Sequence, residues 1–173
     1  NVYRRIIDKN RNPGEGLDVW SNHVKSFGLG NYLNNDLSVG QPGKIPNSKT
    51  YDQLYGKNRW GSTFNLSNSI GQGEVLTTPI QLANMAAAIS NRGYYYTPHI
   101  IKHIEGHTID TKYTTPVHTT INKEHFEPIV QGMFDVYNKG TAASVQVKGI
   151  EICGKTGTAE NFVKVDGTRM QLT

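Results

Sequence analysis

An α+β fold, with helix making up most of the regular structure and strand beginning only past the midpoint, is what the sequence predicts, and three stretches carry the expectation. Thr78, Pro79 and Gln81 have the form of a helix start, with a capping pair and proline at the first helical position, ahead of an alanine-rich run. Apolar residues recur at helical spacing from Phe126 to Tyr137. From Val145 to Ile152 apolar and polar residues alternate, interrupted by one glycine, and lead into Gly154 as a strand would.

Taken in chain order, Leu17, Trp20, Val24 and Phe27 predict a first helix, with Gly28 as its stop. Residues 29–68 then lose all periodicity. Gly40, Pro42, Gly43, Pro46 and Gly56 punctuate a polar stretch too long for a passive connection, so it is expected to be a functional loop region or to pack on other material. The helix opened by Thr78 places Leu82, Met85, Ala86 and Ile89 on one face and Ala83, Ala87 and Ala88 on a second, which predicts a central, buried helix ending at Gly93. Aromatic and branched residues from Tyr94 to Ile104, with Thr108 and Ile109 across Glu105 and Gly106, read as a hairpin. A second long helix starts at Asn122, turns Phe126, Ile129, Val130, Met133, Phe134 and Tyr137 inward, and ends at Gly140. The order is helix, long loop, helix, hairpin, helix, strand.

Composition sets outer bounds. The 173 residues are the length of one ordinary domain, and at 36% hydrophobic and 18% charged they fall among globular chains. Leu, Ile, Val and Phe supply 40 residues, enough for a lean core. Asn, Gly and Pro supply 41, which favours turns over long elements. The net charge of +4 is scattered, and the one dense basic stretch, Arg4, Arg5, Lys9 and Arg11, is interrupted by Asp8, so a solvated face is expected and nucleic acid is not. A single cysteine, Cys153, excludes an internal disulfide framework. No apolar run reaches the length of a membrane span.

Residues Gly149 to Ala159 match two incompatible motifs. Gly149, then four residues, then Gly154, Lys155 and Thr156 satisfies the P-loop pattern of nucleotide-binding domains. A P-loop needs a tight turn of amides and a helix directly after the threonine. Here the intervening residues alternate like a strand, and Gly157 and Thr158 make a poor first turn. Lys155, Thr156, Gly157 and Thr158 read equally as a Lys-Thr-Gly strand, the element of penicillin-binding proteins and serine β-lactamases. A peptide substrate can lie along such an edge as an added strand. Glycine lets the two backbones approach, and the lysine and hydroxyls offer charge and donors to a terminal carboxylate. The amide of Thr158 is then placed for an oxyanion.

Other stretches favour the second reading. Residues from Ser67 to Gly93 resemble the segment of class B penicillin-binding proteins, the monofunctional peptidoglycan transpeptidases, in which a Gly71, Gln72, Gly73 turn leads into Thr78, Pro79, Gln81 and an alanine-rich helix. The helix ending in Gly140, Thr141 and Ala142, shortly before Gly154 and Lys155, follows the same order, and Tyr3 to Gly30 resembles the helical region after that family's second motif. The likeness is to its elongation-type members. It implies an antiparallel five-stranded sheet flanked by helices, to which this chain contributes the Lys-Thr-Gly strand. It also implies a serine enzyme at the periplasmic face of the inner membrane that cross-links stem peptides ending in D-Ala-D-Ala and is trapped by β-lactams. Lys155 and Thr158 would then be catalytic, Lys155, Thr156, Gly157 and Thr158 would hold substrate, and Gln72 and Gly73 would lie beside the site. No cofactor or metal is implied. The parent protein's partners would include a membrane glycosyltransferase and elongation-complex proteins.

The family's nucleophile, a serine followed three residues later by lysine, is absent at all nine serines, as is Ser-x-Asn. Residues 1–173 are therefore expected to be part of a transpeptidase domain, cut upstream and also downstream of Thr173, and inactive alone. Strand and helix faces bared in this way would be covered by another copy or stay disordered. A non-catalytic interaction module is the remaining alternative. His99, His103 and His107 recur every four residues, but Pro98 and the branched neighbours predict extended chain there, where that interval is too long for one ion. Cys153 is expected to be a small buried side chain, and Glu160 and Asn161 to cap the end of the strand.

Overall fold

The computed structural model describes residues 2–10 and 12–157, together with the backbone of Phe162–Val165 and Thr168–Gln171. It divides into two compact units, Asn1–Glu127 and Pro128–Thr173.

The first unit is built around two antiparallel demands: apolar side chains must be buried, and a loop-rich backbone must still find hydrogen-bond partners. Helices α1 (Val2–Asp8) and α2 (Pro13–Lys25) pack so tightly that a Cβ added to Gly16 would lie 2.2 Å from the carbonyl oxygen of Ile7. Only glycine allows that approach. Asn12 caps α2 by accepting the Glu15 amide at 2.9 Å, and Pro13 follows at the first helical position. The helix therefore begins four residues before the apolar periodicity does. Helix α3 (Ser48–Tyr55) lies inside the stretch expected to be loop. Its cap is Asn47, whose Oδ1 accepts the Thr50 amide at 3.1 Å, and Asp18 of α2 accepts from both the amide and hydroxyl of Ser48, at 2.7 and 2.8 Å. Tyr3, Ile7, Leu17 and Tyr51 form the core between these helices, with Trp20 and Trp60 against it. Its lower edge is polar: Tyr51 donates to the Glu74 carboxylate, and the Asn68 amide donates to the hydroxyls of Tyr51 and Tyr3. Burial first, and then the Glu74 bond, push the Tyr51 phenol well above its ordinary range.

Helix α4 (Pro79–Ser90) starts where the sequence predicts, with the Gln81 side chain accepting the Thr78 amide at 3.0 Å. Its buried face differs from the expectation. Gln81, Asn84 and Ala88 are buried, whereas Leu82 is 47% exposed, and Ile80 and the alanines beside it face outward. The cause is loop backbone, which needs donors more than it needs hydrocarbon. Gln81 Nε2 donates to the carbonyls of Asn31 and Pro42 at 2.8 and 2.9 Å, and Asn84 donates to that of Phe27 at 2.9 Å. Gly43, at φ +63°, sits where a Cβ would strike the Leu76 carbonyl and the Gln81 amide, and Lys44 pairs there with Leu76 in an isolated antiparallel bridge.

The expected hairpin over 94–109 does not form. Strand β1 (Tyr94–Tyr95) pairs instead with β2 (Val117–His118), in the register Tyr94 to His118 and Tyr95 to Val117. A turn does occur at Glu105 and Gly106, but the residues flanking it are drawn away from each other's backbone. Asp36 Oδ2 accepts the amides of Ile100 and Ile101 at 2.8 and 2.7 Å, and the His99 ring lies 4.6 Å from that of Tyr113. The amides that a hairpin would use are taken by a carboxylate from the long loop.

In helix α5 (Phe126–Asn138), preceded by a 3-10 turn at Lys123–His125, Phe126 is buried against Phe27 in the first unit. In the second unit Val130, Met133, Phe134 and Tyr137 are half-buried, while Ile129 stays 53% exposed. Beyond a 3-10 turn at Ala143–Val145 the chain runs without regular structure through 157. Strands β3 (Phe162–Val165) and β4 (Thr168–Gln171) pair antiparallel with Val165 opposite Thr168. The α+β class holds, with helix dominant.

Candidate active site

The segment from Gly149 to Gly157 is positioned by α5. The Gly154 amide donates to the carbonyl of Met133 at 3.0 Å, and a Cβ on Gly154 would lie 2.8 Å from the Tyr137 ring. An open groove of about 590 Å³ runs between Phe134 and Tyr137 on one side and Gln146 to Ile152 on the other. Its side chains are apolar at Phe134, Val147, Ile150 and Ile152, with Gln146 donating to the carbonyls of Tyr137 and Asn138 at the helix end.

Past this groove, Lys155, Thr156 and Gly157 stand exposed. The Lys155 ammonium bonds to the Thr156 carbonyl at 2.5 Å, a local contact that an incoming carboxylate could replace. Gly157 shares its open surroundings with Gly61 and Gly132 and differs from them in standing directly after Lys155 and Thr156. Its φ is not positive, and a Cβ there would meet nothing within 4 Å. Neither backbone conformation nor packing within the described residues calls for glycine at that place. What the missing side chain does provide is open backbone beside a cation and a hydroxyl.

Several expectations need correction. Val145 to Ile152 and Lys155 to Gly157 are not strand, despite their alternation. Among the described residues no neighbouring strand runs beside them, and the Gly154 amide is committed to a helix carbonyl, so the ladder that would define a strand has no second side. Cys153 is exposed rather than buried: without a strand ladder or a second layer over residues 150–157 among the described residues, the alternation has no inner face. Thr158, Glu160 and Asn161 lie outside the described residues. Gln72 and Gly73 belong to the first unit, in a turn after the 3-10 segment Leu66–Ile70, where Gln72 is half-buried and its amide donates to the Ser67 carbonyl at 3.1 Å. Gly73 stands at φ +73°, a left-handed conformation that favours glycine, with the Asn68 side chain 3.2 Å from where a Cβ would sit. Among the described residues no group of three or more His, Cys, Asp or Glu gathers as a metal site. The sequence pattern gave no sign of the loop-holding roles of Asp36 and Asn84, and of Gln81 it showed only the cap; for Gln81 and Asn84 the available signal was a polar residue three apart on one helix face, and for Asp36, a loop residue, there was none.

A family model for the penicillin binding protein transpeptidase domain matches residues 15–171, which include Lys155 to Thr158. The chain belongs to the penicillin-binding transpeptidase family. This penicillin-binding transpeptidase chain is 30% identical over 148 residues to the peptidoglycan D,D-transpeptidase MrdA of Acinetobacter baumannii, covering 84% of this chain and 22% of that protein. It is 28% identical over 170 residues to the stage V sporulation protein D of Bacillus subtilis, covering 92% and 25%. A crystal structure of Pseudomonas aeruginosa PBP2 in complex with WCK 5153 shares the fold, with a TM-score of 0.62 at 24% identity over 76% of this chain and 28% of that one. The chain thus spans about a quarter of the length of the relatives it matches. The nucleotide-binding alternative finds no support, since Gly157 is irregular where a P-loop requires the start of a helix.

Proposed function

We propose that these residues form the substrate-edge half of a peptidoglycan D,D-transpeptidase domain. In this reading a serine encoded outside the 173 residues attacks the terminal D-Ala-D-Ala bond of a stem peptide. D-Ala leaves with a proton, and the acyl group passes from the serine to the amine of a neighbouring stem. Lys155 supplies positive charge, Thr156 and Thr158 bind the terminal carboxylate, Gly157 leaves room for the substrate backbone, and the Thr158 amide stabilises the oxyanion. β-Lactams would acylate the same serine. Residues 1–173 are then one part of that domain, working at the periplasmic face of the inner membrane beside a membrane glycosyltransferase and elongation-complex proteins.

The observation that supports this most is the bare surroundings of Gly157 within a family-matched Lys-Thr-Gly sequence. The test is Lys155→Ala in the enzyme that contains the nucleophile. Penicillin acylation and turnover of a D-Ala-D-Ala peptide should each fall by roughly 100-fold or more, the scale of losing an electrostatic group from an acyl-transfer site. Rates within about threefold of the parent enzyme would remove Lys155 from the site.

A further inference from the structure

Gly154 stands directly before the exposed Lys155, Thr156 and Gly157, and two contacts from α5 converge on it. Its amide donates to the Met133 carbonyl at 3.0 Å. The Tyr137 ring lies against its Cα, so that an added Cβ would come 2.8 Å from the ring's Cε2 and 3.4 Å from the hydroxyl oxygen. The φ of Gly154 is not positive, so backbone conformation alone would accept alanine there; the ring is what excludes a side chain. The same helix holds the chain at Gln146, whose side-chain amide donates to the carbonyls of Tyr137 and Asn138. Between these two points, among the described residues, the backbone bond that forms is internal, from the Ile150 amide to Val147, and the open groove parts the chain from Phe134.

Among the described residues, then, Lys155 to Gly157 leave α5 from one fixed point. Consecutive Cα atoms lie about 3.8 Å apart, so a displacement of Gly154 passes directly to Lys155. Misplacing a group by about 1 Å in a site that works by orientation costs up to roughly 100-fold in rate. Strands from the rest of the parent domain would bond to the backbone of this segment. They reach it through amides and carbonyls, whereas Tyr137 meets the Cα of Gly154, so such cover does not stand in for the ring. We infer that Tyr137 is a positioning residue, whose ring sets how far from α5 the chain turns outward at Gly154 and so where Lys155 and Thr156 meet substrate. The inference rests on the transpeptidase reading of those two residues.

The test is penicillin acylation of the nucleophile-bearing enzyme, read both as a rate constant and as the fraction of enzyme finally labelled. Gly154→Ala and Tyr137→Ala should each slow acylation by about tenfold or more while labelling still runs to completion. Tyr137→Phe keeps the ring and should react as the parent does. The double variant Gly154→Ala, Tyr137→Ala should be no slower than the slower of the two single variants, because one contact is lost only once. Losses that multiply, single variants within about threefold of the parent, or Tyr137→Phe as slow as Tyr137→Ala overturn the inference. So does labelling that stops at the fraction of protein still folded, which makes the pair a folding contact only. Lys155→Ala separates the two levels: slow acylation there with parental rates in Gly154→Ala removes the positioning role and leaves the transpeptidase reading, whereas parental rates in Lys155→Ala remove both.

Discussion

Asp36 shows how one side chain can redirect a whole segment. It accepts two successive amides, Ile100 and Ile101, and the Ile101 bond is the main reason that its carboxyl titrates below the ordinary range, with Ile100 and the nearby His99 acting in the same direction. A carboxyl whose folded pKa is depressed contributes stability that is complete above its unfolded pKa and is lost as pH falls through the folded one. The urea midpoint should therefore decline from about pH 5 downward. Asp36→Asn should lower the midpoint at pH 7 and remove that part of the acid dependence. An unchanged acid limb in the variant would assign the dependence to other carboxylates. At the same scale, Gly16 and Gly154 both permit backbone to meet a neighbour at a distance no Cβ allows, but Gly157 does not, and this difference separates packing glycines from one that faces outward.

Helix α3 is the element that the sequence pattern conceals. Its eight residues bury only Tyr51 fully, and its cap is Asn47 with Thr50 rather than the Ser or Thr with Glu or Gln that marks α4. Asn47→Ala should cost about 1 kcal/mol, the usual worth of an N-cap. Hydrogen exchange should then quicken at the first-turn amides of α3 before it does in α2; equal acceleration in both would show that the cap acts on the whole unit. Helices α2 and α5 were legible from their apolar periodicity, and α4 from its capping pair with proline at the first helical position. Which face of α4 is buried was not legible, because Gln81 and Asn84 are placed by loop carbonyls from 27, 31 and 42, contacts that no local pattern encodes. The hairpin failed for a similar reason, since long-range competition for the Ile100 and Ile101 amides outweighs a local turn. At the candidate site the identity of Lys155, Thr156 and Gly157 was legible as a motif, and their strand was not, because a strand is defined by a partner.

For the whole molecule, a domain-sized length accompanies a small core. Among the described residues Tyr3, Ile7, Leu17 and Tyr51 cluster between α1, α2 and α3, and Leu29, Ile45, Ala88, Tyr95 and Phe126 are buried outside that cluster, while Leu82 of α4 and Ile129 of α5 stay exposed. A chain that matches a transpeptidase domain over 15–171, yet covers only 22 to 25% of its relatives and has no serine with lysine three residues on, divides the chemistry between what these residues hold and what they lack. They hold the Lys-Thr-Gly sequence, proposed to bind substrate, and the nucleophile is proposed to lie elsewhere. The most direct measurement is intact-mass spectrometry of the 173-residue chain after incubation with a fluorescent penicillin. The account predicts an unmodified mass and no labelled band, whereas a stoichiometric penicilloyl adduct on any serine of the chain would contradict it.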